Sequence, residues 1–276
     1  MKLLFTDLDD TLLNNQSLVS AETKAFLDKF LEDGNRLILS SGRPLASVLE
    51  VKEQAGLSQP GIFVSSSNGT LVYDCDNRRI IKKTCLPLSY VTYLQKQAKA
   101  LSLHIHTYRE EEGKSDAIIT PDENEEIRYY RRRVHLPLII SENLCDPLTE
   151  GPCKLLAISL HNPGKLESFR RNIADWAEDK IQTIYSNKQY LELFDKSAGK
   201  GSSLRFLCDY LQVPLSDVYA AGDADNDISM LEAAGCGIAM KNASDKVKAH
   251  ADVVTDLDND RNGLADTMYK LISLRR

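Results

Sequence analysis

Long apolar runs and an excess of positive charge are both missing from this chain. Across its 276 residues no segment approaches the roughly 20 consecutive apolar residues of a membrane-spanning helix. Asp7 interrupts the region where a secretory leader would be apolar. The formal net charge of −6 does not favour a surface that binds nucleic acid. We therefore expect a cytoplasmic protein whose partners include neither membrane nor nucleic acid.

Cysteine is present without a recognisable metal-binding pattern. The thiols show neither paired ligand spacing nor a Cys-x-x-Cys motif, and they lie at Cys75, Cys85, Cys145, Cys153, Cys208 and Cys236. We expect reduced thiols in the core and loops of a protein from a reducing compartment. Hydrophobic residues make up 42% of the chain and charged residues 27%, which is typical of a globular enzyme with one large or two modest domains.

Two carboxylates stand where the first apolar run ends. Residues 3–5 read as a short buried strand, and Asp7 and Asp9 follow it at positions i and i+2. Side chains alternate faces along a strand, so the two acids converge only if the chain leaves the strand between or just after them. Acids held close together repel unless a cation lies between them, and Mg²⁺ prefers hard oxygen ligands of this kind.

Two further segments carry groups suited to phosphate. The apolar run 37–39 ends in Ser40 and Ser41 before Gly42, where a hydroxyl and backbone N–H groups at a strand-to-helix turn can cradle phosphate. Lys200 lies in a loop of small residues at the start of a helix-like run. A lysine there can bind a phosphate oxygen and reduce the repulsion between an anionic nucleophile and an anionic substrate.

A second acidic cluster follows the apolar run 218–221 and Gly222. It contains Asp223, Asn226 and Asp227, and an apolar helix-like run comes next. A calcium-binding loop also spaces acids at alternate positions, but the Gly and the distal Glu that it requires are missing at the expected offsets. Open α/β sheets bind ligands outside the carboxyl ends of their strands, so all of these segments point to one location.

These segments resemble, in order, the signatures of the haloacid dehalogenase (HAD) superfamily of phosphatases. The pattern of the whole chain is similar to the Cof-type members, which carry a large type II cap of the IIB kind. The resemblance implies that Asp7 is the nucleophile and that Asp9 is the general acid and base. It also implies a Mg²⁺ site at Asp7, the backbone carbonyl of Asp9, and Asp223, with Asp227 in support.

The same resemblance implies the groups that bind phosphate and substrate. They are Ser41, Gly42 and Lys200, with Asn226 touching the phosphate or the water shell of the metal. Asn68 precedes a glycine directly after a core strand, as in similar Cof-type proteins, and we expect it to contact substrate. One departure is visible, because Asp10 stands where the family has Gly. Asp tolerates turn and left-handed geometry better than most residues, so the loop can survive.

The spacing of the segments indicates an inserted domain. Most of the chain between Ser41 and Lys200 belongs to none of these segments, and its predicted secondary-structure pattern changes at about Leu86. We predict an α/β fold in which residues 1–85 and 187–276 form a Rossmann-like, doubly wound parallel-sheet core. Residues 86–186 would form an α+β cap domain, long enough for its own core, that determines substrate specificity.

The predicted function is a Mg²⁺-dependent phosphatase that hydrolyses small phosphorylated metabolites, with sugar phosphates as the favoured class, through an aspartyl-phosphate. A phosphomutase on the same core and a non-enzymatic sensor of a phosphorylated metabolite are the alternatives. The intact acid pair argues against the sensor, because a pure binding protein would not need an ionisable Asp9. The sequence leaves a monomer and a homodimer equally open.

Two polar clusters in the insertion have a simpler interpretation than function. His104 and His106 share one face of an alternating strand, and we favour a half-buried polar face over a metal pair. Residues 123–133 read as a charged helix containing Arg128 and Arg131. A solvated, salt-bridged face is favoured there over a cation that reaches for an anionic substrate.

Overall fold

The apolar runs of the sequence form the central strands of a parallel sheet. The computed structural model describes residues 1–110 and 116–274, and it buries all of the first strand, Leu3–Thr6. Thr6 lies opposite Leu39 on one side and Ala221 on the other, and both neighbouring strands are parallel to it. A strand that is covered on both faces needs apolar residues throughout, which is why these runs do not alternate.

The elements are numbered in chain order. The strands are β1 (Leu3–Thr6), β2 (Arg36–Ser40), β3 (Ile62–Ser66), β4 (Leu71–Asp74), β5 (Arg79–Lys83), β6 (His104–Arg109), β7 (Ala117–Thr120), β8 (Leu138–Ile140), β9 (Lys154–Ile158), β10 (Ile181–Asn187), β11 (Tyr190–Asp195), β12 (Val218–Gly222), β13 (Cys236–Ala239) and β14 (Val253–Val254). The helices are α1 (Ala21–Glu32), α2 (Leu45–Gln54), α3 (Leu88–Ala100), α4 (Glu125–Tyr130), α5 (Gly164–Ala177), α6 (Lys200–Leu211), α7 (Ile228–Ala233), α8 (Asp245–Lys248) and α9 (Gly263–Leu274).

The first of two compact units is the predicted Rossmann-like core. It comprises Met1–Gly42, Val48–Lys82 and the described chain from Gly199 onward. Its eight-stranded sheet has the order β14-β13-β12-β1-β2-β3-β4-β5, parallel from β14 to β3, with β4 antiparallel to β3. Helix α6 packs on α7, and α1 packs on α9. Chain order reverses about β1, which brings the carboxyl ends of β1, β2 and β12 together.

The second unit has an α+β architecture of its own. It comprises Arg43–Ser47 and Lys83–Ala198, and its six-stranded sheet has the order β10-β11-β9-β6-β7-β8. Its pairs are antiparallel except for β7 with β8. Helices α3 and α5 pack against each other and supply Leu94, Phe169 and Ile173 to its apolar core. Strand β11 pairs with both β10 and β9, so this unit extends beyond residue 186, where the sequence-based boundary lay.

Two elements of this unit differ from the sequence prediction. The charged helix is shorter than 123–133, because the Asn124 side chain caps it by accepting the Ile127 N–H at 3.1 Å and α4 ends at Tyr130. Arg131 therefore lies beyond the helix. Strand β8 was not predicted, because three residues are too few to show a period and its partner β7 lies far back along the chain.

The two histidines form part of a buried row of hydrogen bonds. Asn124 Nδ2 lies 2.9 Å from His104 Nδ1, and His104 Nε2 lies 3.0 Å from His106 Nδ1. His106 Nε2 is 3.0 Å from the Tyr108 hydroxyl, which in turn donates to the Tyr130 hydroxyl at 2.6 Å. Burial lowers the pKa of His104 to about 4, so both rings are neutral links within the core. Every ring nitrogen has a protein partner, which favours the structural interpretation over a metal pair.

The described part of the chain contains no candidate for a membrane-spanning helix. None of its helices combines the length and the apolar character that crossing a bilayer requires.

Candidate active site

The carboxyl ends of three parallel strands carry the first group of predicted residues. Asp7 follows β1, and its N–H continues the ladder by donating to Ala221 O at 2.9 Å. Ser41 follows β2 and donates its N–H to Ser65 O at 2.9 Å. Asp223 follows β12. Because the sheet holds each of these backbones, the positions of the functional side chains depend on rigid elements rather than on free loops.

The chain turns sharply after Asp7. Asp9 has an extended backbone, whereas Asp10 has φ 57° and ψ 10°, the left-handed region that favours glycine. Asn242 Nδ2 donates to Asp10 O at 2.8 Å and so supports this turn. The turn brings Thr11 back to the sheet edge, where its hydroxyl donates to Asp223 Oδ1 at 2.8 Å. The structure thus accommodates Asp at the position where glycine is usual.

Lys200 is the cation at the centre of the site. It begins α6, is 1% exposed, and donates from Nζ to Asp7 Oδ1 at 2.6 Å and to Asp227 Oδ1 at 2.5 Å. Burial alone would lower the pKa of Lys200, but the carboxylates of Asp227 and Asp7 raise it above its ordinary value. The ammonium is therefore charged, and it fixes the orientation of both acids.

Three acids meet around this lysine. Among the described residues, Asp7, Asp223 and Asp227 each offer an oxygen within 4.8 Å of the others. Asp227 Oδ2 also accepts the N–H groups of Asp223 and Ala224, each at 3.0 Å. Burial and the neighbouring acids raise the pKa of Asp7 well above its usual range, and they raise the pKa of Asp223 to about 7.

The electrostatics of this cluster fit a divalent cation. One ammonium compensates three buried or half-buried carboxylates, and burial first, then repulsion from the neighbouring acids, raises the pKa values of Asp7 and Asp223. Hard oxygen donors of this kind suit a hard divalent cation. The Asp9 carboxylate is half-exposed and lies outside the three-acid group.

A loop after β3 presents a buried amide. Asn226 Nδ2 donates to Asn68 Oδ1 at 3.0 Å, and Asn68 N–H donates to Ser41 O at the same distance. Asn68 Nδ2 is buried and has no hydrogen-bond partner within the described ranges. Asn68 and Gly69 both have positive φ, 59° and 82°, and a Cβ at Gly69 would lie 2.3 Å from Gly199 O. This loop therefore packs tightly against the segment that carries the central lysine.

The structure brings the predicted residues into two connected groups. Lys200 joins the acids Asp7, Asp223 and Asp227, and Asn68 joins Ser41 and Asn226. Asp9 lies two residues after Asp7 on the loop that follows β1, and Gly42 directly follows Ser41 on the loop after β2.

Two supporting residues had been given no role from the sequence. Thr11 donates a hydrogen bond to Asp223. Its position directly after the first acidic residues could have indicated this role. Gly222 lets Asp227 approach the end of β12, because a Cβ at this position would lie 2.4 Å from Asp227 Cβ. The position of Gly222 directly before an acidic cluster could have indicated this role.

Comparison with known proteins gives consistent matches over the whole chain. The model of the haloacid dehalogenase-like hydrolase family matches residues 4–268. The phosphatase YwpJ of Bacillus subtilis is 30% identical, with 99% of this chain and all of that protein aligned. A second relative from the same organism, 5-amino-6-(5-phospho-D-ribitylamino)uracil phosphatase YwtE, is 28% identical over 99% of both chains.

A solved structure agrees with these sequence matches. The crystal structure of a haloacid dehalogenase-like hydrolase from Bacteroides thetaiotaomicron superposes with a TM-score of 0.87 and 28% identity. The match covers 98% of this chain and 99% of the other. The similarity therefore includes both compact units and not only the parallel sheet.

Proposed function

Because the chain belongs to the haloacid dehalogenase-like hydrolase family and is a phosphatase, we propose that it hydrolyses small phosphate monoesters through an aspartyl-phosphate on Asp7. Sugar and polyol phosphates are the proposed class of substrate. The observation that carries the proposal is the Asp7 carboxylate, held by Lys200 at the end of a central strand beside two further acids. The relative named for a phosphoribityl substrate, a phosphorylated polyol chain, supports the substrate class.

Asp7 acts as the nucleophile in this proposal. Lys200 holds Asp7 Oδ1, which restricts the carboxylate to one orientation and leaves Oδ2 as the attacking oxygen. Attack on phosphorus expels the alcohol and forms a covalent intermediate, which divides one difficult hydrolysis into two easier steps. Burial raises the pKa of Asp7, and the nearby ammonium opposes that effect and so favours the ionised, reactive form.

Mg²⁺ is the proposed cofactor. Asp7 and Asp223, with the backbone carbonyl of Asp9, would hold the ion, and Asp227 would support it while keeping Lys200 in place. When bound, Mg²⁺ would offset the negative charge that gathers between the acids and a phosphoryl group. Thr11 fixes the rotamer of Asp223 by its hydrogen bond and so prepares that ligand in advance.

Asp9 is the proposed general acid and base. It lies two residues after the nucleophile and is half-exposed, with an extended backbone. It would give a proton to the departing alcohol oxygen and then take one from the water that attacks the aspartyl-phosphate.

Four hydrogen-bond donors are proposed to bind the oxygens of the phosphate group. Ser41 supplies a hydroxyl, Gly42 a backbone N–H and Lys200 an ammonium group. Asn68 Nδ2 is a buried donor that lacks a partner within the described residues, and a buried unpaired donor is stabilised by an oxygen acceptor such as a substrate provides. Asn226 orients that amide by its hydrogen bond to Asn68 Oδ1.

The second compact unit is the proposed specificity domain. Its main segment, Lys83–Ala198, lies in the chain between two parts of the first unit, Val48–Lys82 and the described chain from Gly199 onward. A domain in this place in the chain can supply substrate contacts and exclude water.

The test is phosphate release from an aryl phosphate, measured with Mg²⁺ and with a chelator. We expect release that requires the metal and disappears in Asp7→Asn. Asp225→Asn is the matched control, because it makes the same substitution in the acidic cluster after β12, where Asp225 forms an exposed ion pair with Lys246. Normal turnover by Asp7→Asn would exclude Asp7 as the nucleophile, and equal rates in chelator would exclude the metal.

A second assay tests the substrate class. Purified enzyme is given sugar phosphates, polyol phosphates and nucleotides, and free phosphate is measured. We expect higher kcat/KM for the first two groups. Isomerisation of a sugar phosphate in the presence of a bisphosphorylated sugar, without phosphate release, would favour a phosphomutase instead.

A further inference from the structure

Two cysteines that are distant in the chain lie side by side in the second unit. Cys85 follows strand β5, and Cys153 directly precedes strand β9. The two thiols lie close enough for each to influence the pKa of the other. Beside them, Leu86 N–H donates to Pro152 O at 2.9 Å, so the backbones of the two segments are also joined.

The close approach of these segments is built into the backbone. A Cβ added at Gly151 would lie 1.7 Å from Leu86 O and 3.5 Å from the Cys85 Cβ. Only glycine fits there without displacing the neighbouring chain. The sequence thus keeps the smallest residue at the position where the two cysteine segments meet.

The surroundings make the two thiols unequal. The hydrogen bond from Cys153, together with the charge of Lys83 and against the effect of burial, lowers the pKa of Cys85. The same hydrogen bond and burial raise the pKa of Cys153 well above its ordinary value. Lys83 is held close by, since its Nζ donates to Glu110 O at 2.6 Å and to the Glu150 carboxylate. Cys85 is half-buried, whereas Cys153 is buried.

We propose that Cys85 and Cys153 form a peroxide-reactive site that closes reversibly to a disulfide. The half-buried Cys85, beside Lys83, is the attacking thiol, because thiolate character and access determine which cysteine reacts. The buried Cys153 is the resolving thiol, because a backbone hydrogen bond already joins its segment to that of Cys85.

The chemistry balances with one peroxide per pair. The Cys85 thiol releases its proton, and its thiolate attacks a peroxide oxygen. The O–O bond breaks and the leaving hydroxide takes up the released proton, so that a sulfenic acid and one water form. The Cys153 thiol then loses its proton, and its sulfur attacks the sulfenic sulfur. The S–S bond forms as the S–O bond breaks and a second water leaves. Two thiols are oxidised, the peroxide is reduced to two waters, and a dithiol reductant reverses the change.

The crosslink would tie the start of the second unit to the first residue before β9. Closing a long loop restricts the unfolded chain, so oxidation should raise the melting temperature of this unit. The other cysteines differ from this pair. Cys75, for example, is half-buried like Cys85, but burial raises its pKa to about 11.

The test treats the reduced full-length protein with hydrogen peroxide at neutral pH, alkylates the remaining thiols and maps the peptides by mass spectrometry. We expect two of the six thiols to disappear, a peptide linked through Cys85 and Cys153, an upward shift in melting temperature, and reversal by dithiothreitol. Six alkylated thiols after treatment, or a crosslink between other cysteines, would overturn the proposal.

Three variants separate the roles. Cys153→Ala should accumulate a sulfenic acid at Cys85, which a 1,3-dione reagent traps. Cys85→Ser should show neither the crosslink nor the trapped acid, and Cys75→Ser should form the crosslink as the wild type does. Trapping at Cys75 as fast as at Cys85 would contradict the assigned attacking thiol. The trapping experiment identifies the oxidised cysteine directly, so its result can be interpreted even where a variant is less stable than the wild type.

Discussion

A single buried ammonium determines how the acids of the site can coexist. Lys200 is fully enclosed and contacts both Asp7 and Asp227, so its charge is compensated by two acids that it also orients. Pairs of this kind add little net stability compared with apolar packing, but removing one partner leaves a buried charge alone. We therefore expect Lys200, which lies among the candidate catalytic acids, to serve the chemistry of the site.

Replacement of this lysine should affect both activity and stability. In Lys200→Met, Asp7 and Asp227 lose their common partner, and we expect kcat to fall at least 10²-fold and the free energy of unfolding to fall by about 3 to 5 kcal/mol. Lys246→Met is the matched control, because Lys246 and Asp225 form an exposed pair at 2.6 Å, for which a change of about 0 to 1 kcal/mol is expected. Phosphate release and urea unfolding measure the two effects, and equal behaviour of the two variants would contradict the central role of Lys200.

The acid and base assignment makes a different prediction at the neighbouring loop. Asp9→Asn should lower kcat by a factor of about 10² to 10⁴, because Asn can neither donate the proton to the leaving group nor accept one from water. Asp10→Asn is the control, because Asn tolerates the left-handed backbone that Asp10 adopts. Single-turnover kinetics should show both intermediate formation and its hydrolysis slowed in the first variant only. A full rate in Asp9→Asn would remove Asp9 from this role.

At the end of strand β12, the position of Asp227 requires that Gly222 carry no side chain. A Cβ on Gly222 would lie 2.4 Å from both Cβ and Cγ of Asp227, which is too close for any real contact. Gly222→Ala should therefore displace Asp227 from Lys200, lower the stability by about 1 to 3 kcal/mol and reduce phosphate release strongly. Gly164→Ala, the same substitution at the start of α5, meets only a side-chain oxygen at 3.2 Å and should be nearly neutral. Thermal melts and activity measured on both variants decide the outcome.

Elements with a strong local signal were predictable from the sequence. The apolar strands that precede Asp7 and Asp223 lie where they were expected. Features that depend on distant partners were not predictable. The buried pair of Lys154 and Glu192, at 2.6 Å, joins two strands whose pairing no local pattern reveals. The same is true of the inserted unit's boundary, because β11 belongs to this unit through pairing alone.

At the scale of the whole molecule, each of the two units buries titratable groups whose pKa values burial shifts. The first unit has acids whose pKa values burial raises, among them Asp7 and Asp223. The second has His104 and His106, whose pKa values burial lowers. A histidine kept neutral in the fold opposes stability at acidic pH, because the unfolded chain binds a proton that the folded chain does not.

The second unit should accordingly lose stability on acidification. The pKa of His104 is about 4 in the fold, against an ordinary value of 6.5. Its contribution is complete above pH 6.5 and is lost as the pH falls toward 4, by about 3 kcal/mol. His104→Gln removes this titration, so urea unfolding of the variant should depend less steeply on pH over that range. His250→Gln, at an exposed position in the first unit, is the control and should keep the wild-type slope. The acids of the site titrate in all three proteins and cancel in the difference, so parallel curves for wild type and His104→Gln would contradict a neutral, buried His104.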